Sequence, residues 1–131
     1  GREAPPTRRR PGRDDIPVRA LAILLKGDRT LLTHDAVPDL VIALERGDET
    51  LRWRAADALG QLGKAGADAH PPLLKALKSK SWRVRSSAAL ALGNIGVSDK
   101  KTLKSLRKLL DDSHPDTRHS AQTALSRLIS N

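Results

Sequence analysis

Apolar residues recur along this chain with the spacing of one helix face, in two kinds of segment that alternate. The first kind carries leucine and valine at positions i, i+3, i+4 and i+7. Its clearest example is formed by Val37, Leu40, Val41 and Leu44. The second kind carries mainly alanine, and its clearest example is formed by Val84, Ala88, Ala91, Leu92 and Ile95. Each kind predicts an amphipathic helix, and we name the first helix A and the second helix B.

Both kinds of segment repeat with one period of 33 residues. In helix B the period is carried by Leu59, Leu92 and Leu125, and in helix A by Leu40, Leu73 and Leu106. Because two independent segments share the period, the sequence predicts a repeated two-helix unit. One such pair cannot bury its own apolar faces, so the units are expected to stack on one another.

The pattern therefore predicts an all-α protein, an α-α superhelix (α-solenoid) of about three and a half helical hairpin repeats. We expect a flexible basic tail at residues 1–15 and a repeat domain at 16–131. The expected parts of that domain are a half-unit or cap at 16–34 and repeats at 35–66, 67–99 and 100–131.

Small residues in helix B are expected to let neighbouring helix backbones approach closely. They include Ala55, Ala58, Ala88 and Ala91. Gly47 separates helix A from helix B in the first repeat, and Gly96 is placed to end the second helix B. We interpret Gly60-x-x-Gly63-x-x-Gly66 as helix termination and not as a nucleotide-binding loop.

The first predicted helix, from about Ile16 to Lys26, is apolar on almost every side. Such a helix is expected to be buried on every side. Two explanations are open: the helix caps the stack by lying across the first repeat, or a preceding partner has been removed. We favour the cap.

The second helix B resembles a known family. Its sequence is Val84-Arg85-x-x-Ala88-Ala89-x-Ala91-Leu92-Gly93-x-Ile95-Gly96. This resembles the HEAT-like repeat of phycobilisome-lyase-type and many bacterial scaffold proteins, and the resemblance covers about residues 18–130. It weakens in the third repeat, where Thr117 replaces the apolar residue and Ser126 the glycine. The resemblance implies a general role in protein–protein interaction.

Charge and cysteine content narrow the expected partners and location. The formal net charge is +9, which favours acidic partners, and residues 1–13 hold +4 of it as five arginines against one glutamate. Cysteine is absent, which excludes disulfides, thiolate nucleophiles and cysteine-based metal sites. With no apolar run long enough to span a membrane and no secretory signal, we predict a cytoplasmic location.

The sequence contains no recognisable catalytic constellation. Its four histidines share no helix-face spacing, and they are His34, His70, His114 and His119. Asp111 and Asp112 could hold a cation beside His114, but we favour an exposed turn between helices. We therefore predict no enzyme activity, no cofactor and no metal. An enzyme of the bilin-lyase group is a weaker alternative that rests on family analogy alone.

Helix B positions away from the alanine stripe are the best candidates for partner binding. Trp53 and Leu90 are apolar where contact with water is expected, and they can form one patch beside Arg54. Ser87 and Ser120 are placed outward by the same spacing. The alternative is that Trp53 packs flat over the neighbouring helix. The predicted partner-binding residues are Trp53, Arg54, Asp57, Leu90, Asn94, His119 and Arg127.

A second candidate surface is cationic. The possible anion-binding residues lie on the third helix A, and they are Lys100, Lys101, Lys104, Arg107 and Lys108. Four more cations could extend this surface, namely Lys75, Lys78, Lys80 and Arg83. The alternative, which we favour, is the solvated outer face of an amphipathic helix.

Arginine also recurs with the period, at Arg19, Arg52, Arg85 and Arg118. This ladder either binds an acidic chain or pairs with groups of the neighbouring repeat, and we favour the pairing. Trp82, at the start of a helix B, is expected to fill the turn between helices A and B.

These features together predict a protein–protein interaction scaffold, as a module of a larger protein. We expect it to bind another protein on a concave surface lined by helices B, and the net charge favours an acidic partner. The alternative is nucleic-acid binding through the basic tail and the outer helices.

Overall fold

The computed structural model describes residues 15–130 of the chain. Over that range the chain forms seven α-helices and no strand, so the predicted all-α class is confirmed. The helices are α1 Val18–Lys26, α2 Val37–Arg46, α3 Glu49–Gln61, α4 His70–Ala76, α5 Trp82–Ile95, α6 Lys100–Lys108 and α7 Pro115–Ser130. The predicted basic tail lies outside the described residues except for Asp15.

Three helical hairpins stack side by side, as the period predicts. Helices α2, α4 and α6 are the helices A, and α3, α5 and α7 are the helices B. The helices B begin at Glu49, Trp82 and Pro115, which are separated by the period of 33 residues. The α-solenoid prediction is therefore confirmed.

Polar residues set where several of these helices begin. The carboxylates of Asp48 and Asp99 accept hydrogen bonds from the N–H three residues ahead, at 2.9 and 2.8 Å. The hydroxyl of Ser81 does the same for α5 at 3.3 Å. At the start of α7, the ring nitrogen Nδ1 of His114 accepts from the N–H of Asp116. Residues local in sequence thus define where these helices begin.

Helices B pack on one another through glycine and alanine. A Cβ added to Gly60 would lie 2.9 Å from the Cα of Ala91, and one added to Gly93 would lie 2.8 Å from the Cα of Ala124. Both distances are shorter than real Cβ contacts, so these backbones meet directly. The predicted close approach is confirmed. Gly60 is the penultimate residue of α3, so the helix ends within the predicted glycine segment, and Gly60 also makes the contact with α5.

Leucines of helix A fill the space between the layers. Leu40, Leu73 and Leu106 are each fully buried, and they face Leu59 and Leu92 of helix B in the same continuous core. Burial of one leucine side chain stabilises the fold by about 1.5–3 kcal/mol, so these positions account for much of the driving force.

Helix α1 packs on the first repeat with one face only. Ala20, Ile23 and Leu24 are buried against α2 and α3, whereas Val18 is 82% and Leu25 40% exposed. The expectation of burial on every side is therefore wrong. The physical reason is that the described chain offers α1 a neighbour on one side only.

Arginines of the predicted ladder bond within the chain. Arg19 donates to the Asp39 carboxylate at 2.8 Å, and Arg118 donates to the carbonyl oxygen of Asp112 at 2.7 Å. Arg85 forms two parallel hydrogen bonds with the Asp112 carboxylate, at 2.9 and 3.0 Å. These bonds tie neighbouring turns and repeats together, as the pairing interpretation expects.

None of the helices in residues 15–130 is long and apolar enough to cross a membrane.

Candidate protein-binding surface

Trp53 forms a ridge between two shallow clefts on the helix B side of the stack. The side chain is half-buried on α3. One cleft, of about 250 Å³, lies between α1 and α3, with Ile23 and Leu32 in its wall. The other, of about 230 Å³, lies between α3 and α5, with Leu90 in its wall. Trp53 thus lines both clefts.

Two arginines flank the Trp53 ring. The guanidinium of Arg54 lies 5.6 Å and that of Arg83 lies 5.5 Å from the ring centroid, both within cation–π range. Arg54 is held in place by a hydrogen bond to the carbonyl oxygen of Leu24 on α1, at 3.0 Å. The predicted association of Trp53 with Arg54 is present.

Arg83 belongs to this surface and not to the outer lysines with which the sequence pattern groups it. Its guanidinium lies between Trp53 and Trp82, 5.3 Å from the Trp82 centroid. A signal was available: Arg83 precedes Ser86 by one helical turn, and Ser86 is the repeat equivalent of Trp53. Arginine is enriched at interface hot spots, so this residue adds to the candidate site.

Trp82 packs on the turn between helices A and B of the third repeat. Its ring stacks on the ring of His114, with centroids 3.8 Å apart and planes 4° from parallel. Its carbonyl oxygen also accepts a hydrogen bond from the Thr117 hydroxyl at 3.2 Å. Trp82 therefore joins the second repeat to the third and continues the row of rings and guanidinium groups that begins at Trp53.

Asp57 supplies the acidic group of the cleft between α3 and α5. Burial raises the pKa of this carboxyl above its ordinary value, and a hydrogen bond with Ser87 acts in the opposite direction. Leu90 lies across the same cleft and is half-buried. The structure thus brings together four of the predicted residues: Trp53, Arg54, Asp57 and Leu90.

The other three predicted residues lie apart from this cluster. Asn94 and Arg127 are exposed near the C-terminal ends of α5 and α7, where Arg127 donates a hydrogen bond to the amide oxygen of Asn94. His119 is exposed near the start of α7. Ser87 and Ser120, expected to face outward, are only 9% and 4% exposed. Ser87 lies against Asp57 of α3 and Ser120 bonds to Ser86 of α5, contacts that the pattern of one helix cannot reveal.

The predicted cationic residues of α6 are all exposed. Lys101, Lys104 and Lys108 share a groove of about 380 Å³ with Lys78, which follows α4, and its floor is formed by leucines, including Leu109. A neighbouring groove also brings Lys75 of α4 beside Lys101 of α6, so the lysines of two successive hairpins form one basic surface, separate from Trp53.

The histidines and acidic residues of residues 15–130 form no group of three or more that could hold a metal ion. His70 bonds through Nε2 to the Thr102 hydroxyl at 2.7 Å. The Asp112 carboxylate, considered for a cation, is engaged by Arg85 and by the N–H of His114. These groups support the repeat packing.

The sequence model for HEAT repeats matches residues 37–126. No curated protein is similar in sequence at a significant level. Proteins built from HEAT repeats are typically non-enzymatic scaffolds that bind other proteins. The matched range covers more than half of the chain and coincides with the stacked hairpins α2 to α7. The chain therefore belongs to the HEAT repeat family.

Proposed function

We propose that this chain is a non-enzymatic protein-binding module that holds its partner on the helix B layer around Trp53. We name the docking area the Trp53 surface, formed by Trp53, Arg54, Asp57, Arg83 and Leu90. The observation that carries the proposal is the half-buried tryptophan with a cleft on each side and a guanidinium over each flank. Tryptophan and arginine dominate the binding energy of protein interfaces.

The packing of the layers supports a concave position for this surface. Helices B meet backbone to backbone at Gly60 and Gly93, whereas contacts between α2 and α4 are sparse. A stack whose one layer is more tightly spaced than the other curves toward the tighter layer. The Trp53 surface would then line the inner side, where an extended partner segment can contact several repeats.

The chemistry of the Trp53 surface favours a particular kind of partner segment. The clefts fit one apolar side chain on each side of the ring, and Arg54 and Arg83 fit an acidic group beside it. Asp57 lies in the same cleft and would repel a carboxylate placed too deep. We therefore expect a segment with an apolar residue in the cleft and an acidic residue at its rim.

The test is capture of a partner from a lysate of the source cells, with the intact chain immobilised at about physiological salt. Trp53→Ala should weaken retention of a discrete protein by at least about tenfold, because the central anchor is lost. Lys104→Ala, on the opposite layer, is the matched control and should retain it. Circular dichroism should show both variants folded. Equal retention by both variants would refute the proposal.

Nucleic-acid binding is the second candidate, and the basic surface shared by α4 and α6 favours it. Such binding should weaken steeply with salt, by about 0.9 log units in affinity per phosphate contacted for each log unit of salt. Retention that is lost on nuclease treatment or on removal of residues 1–15 would support this candidate. Retention of a protein by the truncated chain would support the Trp53 surface.

A further inference from the structure

In the arginine ladder, Arg52 lacks the carboxylate that Arg85 has at the equivalent site. Arg85 pairs with Asp112, 27 residues further along, through Nε and Nη2. Arg52, one repeat earlier, reaches the residue that is also 27 positions ahead, but that residue is Ser79. Asp112 and Ser79 are thus equivalent sites in successive repeats, and only one of them carries a charge.

Ser79 leaves the Arg52 guanidinium incompletely bonded. Its hydroxyl accepts one hydrogen bond from Nη2 of Arg52, at 3.2 Å. The Nε–H of Arg52 is buried and has no hydrogen-bond partner. A buried donor without a partner destabilises the folded state, more so when the group is charged, so the site gains free energy when an acceptor bonds to it.

A cavity opens beside this guanidinium. It measures about 480 Å³ and lies between α2 and α4, lined by Arg52 and by Lys75, Lys78 and Lys80. The acidic group in its lining is Glu45. The remaining walls are apolar or small and include Leu44, Pro72, Ala76 and Val84. The cavity therefore combines an excess of positive charge with space for an apolar stem.

We propose that this cavity binds a carboxylate from an acidic segment of a partner protein, with Arg52 as its anchor. The equivalent guanidinium of Arg85 donates two parallel hydrogen bonds, from Nε and Nη2, to the Asp112 carboxylate. The incoming carboxylate forms the same pair of bonds when the Arg52 side chain turns its buried Nε–H toward the cavity and exchanges the Ser79 hydroxyl for the ligand. Apolar walls suit the methylene groups of glutamate better than the polar backbone of a nucleic acid. This site is separate from the Trp53 surface and does not depend on it.

Ser79→Asp is the test variant, because position 79 is the repeat equivalent of Asp112. The hydroxyl of Ser79 also accepts from the N–H of Ser81 at 3.1 Å, as the Asp112 carboxylate accepts from the N–H of His114 at 2.9 Å. An aspartate at position 79 can therefore adopt the geometry of Asp112. The variant should fold, unfold at a higher temperature than the parent chain, and fill the position that the partner would occupy.

The experiment is titration of the intact chain with hexaglutamate, followed by the ¹⁵N–¹H signal of Arg52 Nε and by calorimetry. The Arg52 signal should shift in the parent chain and in Ser79→Asn, which matches aspartate in size but lacks its charge. Ser79→Asp should bind about tenfold more weakly, because one charge-assisted pair is already made. Gln122→Glu adds one negative charge at an exposed site on α7 and should change the affinity little.

The outcomes separate this proposal from the others. Equal hexaglutamate affinity for Ser79→Asp and the parent chain would overturn it and place the binding on other cations. An Arg52 signal that responds to inorganic phosphate or a short DNA duplex, but not to hexaglutamate, would also overturn it. Trp53→Ala should leave the titration unchanged, so failure of the Trp53 surface and failure of this cavity are distinguishable.

Discussion

At the scale of single residues, one arginine position meets different surroundings in successive repeats. The residue 27 positions after the ladder arginine is Arg46 for Arg19, Ser79 for Arg52 and Asp112 for Arg85. Arg19 accordingly turns to Asp39, whereas Arg85 takes Asp112. The period predicts the arginine, but its electrostatic role depends on which side chain stands one hairpin further along.

The Arg85–Asp112 pair should stabilise the fold in a pH-dependent way. Burial raises the pKa of Asp112, but hydrogen bonds from Arg85 and from the N–H of His114, with the charges of both residues, outweigh it, and the pKa is lowered overall. The ionised form is therefore favoured in the folded state. Its contribution is present above the unfolded-state pKa of about 3.9 and is lost as the pH falls through the lower folded-state pKa.

Asp112→Asn should lower the free energy of unfolding at pH 7 by about 2 kcal/mol, since Arg85 loses its charged acceptor in a site only 9–15% exposed. Urea denaturation at a series of pH values measures this. The difference from the parent chain should shrink as the pH falls below about 4. A difference that is the same at pH 7 and at strongly acidic pH would contradict the assigned role of the carboxylate.

Asp57→Asn should act with the opposite sign. Burial raises the pKa of Asp57, so the folded state disfavours the ionised form, and this cost is present above the folded-state pKa. It disappears as the pH falls through that value. The amide keeps a hydrogen-bonding group for Ser87. At pH 7 the variant should be slightly more stable, by less than about 1 kcal/mol because the group is partly solvated. The same urea series tests it, and a loss of stability at pH 7 would contradict the prediction.

At the scale of elements, the two kinds of helix pack in different ways. Helices A carry large leucines into the core, and helices B carry alanine and glycine so that their backbones touch. Gly60 and Gly93 stand where α3 meets α5 and where α5 meets α7. Ser126 occupies the equivalent position of α7 and is exposed. The replacement of glycine by serine in the third repeat thus coincides with the face of α7 that no described helix covers.

Gly93→Ala should destabilise the chain, although alanine is the better helix former by about 1 kcal/mol. The added methyl group would lie 2.8 Å from the Cα of Ala124 and 3.0 Å from its Cβ, so α5 and α7 must separate. The expected loss is about 1–3 kcal/mol, in the range of overpacked cores. Ser126→Ala is the matched control and should be neutral or stabilising. Thermal unfolding of both variants gives the comparison, and a stabilised Gly93→Ala would show that these helices are not in direct contact.

At the scale of the whole molecule, the sequence by itself determined the class, the hairpin count and the repeat register. Each of these depends on which residues are apolar and how they are spaced. Because the period is strict, the same spacing occurs in each repeat and can be recognised from the sequence. Trp53, Arg54, Asp57 and Leu90 could be grouped in advance for the same reason, because helix spacing decides which positions avoid the core.

Only the tertiary structure decided which side chains meet between repeats. Arg83 lies between Trp53 and Trp82, Trp82 stacks on His114, and the Arg52 guanidinium has a buried donor without a partner. The partners in such contacts are about thirty residues apart in the chain, and they differ from one repeat to the next. The period identifies the residues that all repeats have in common. These contacts depend instead on residues that differ between repeats and on how the helices pack.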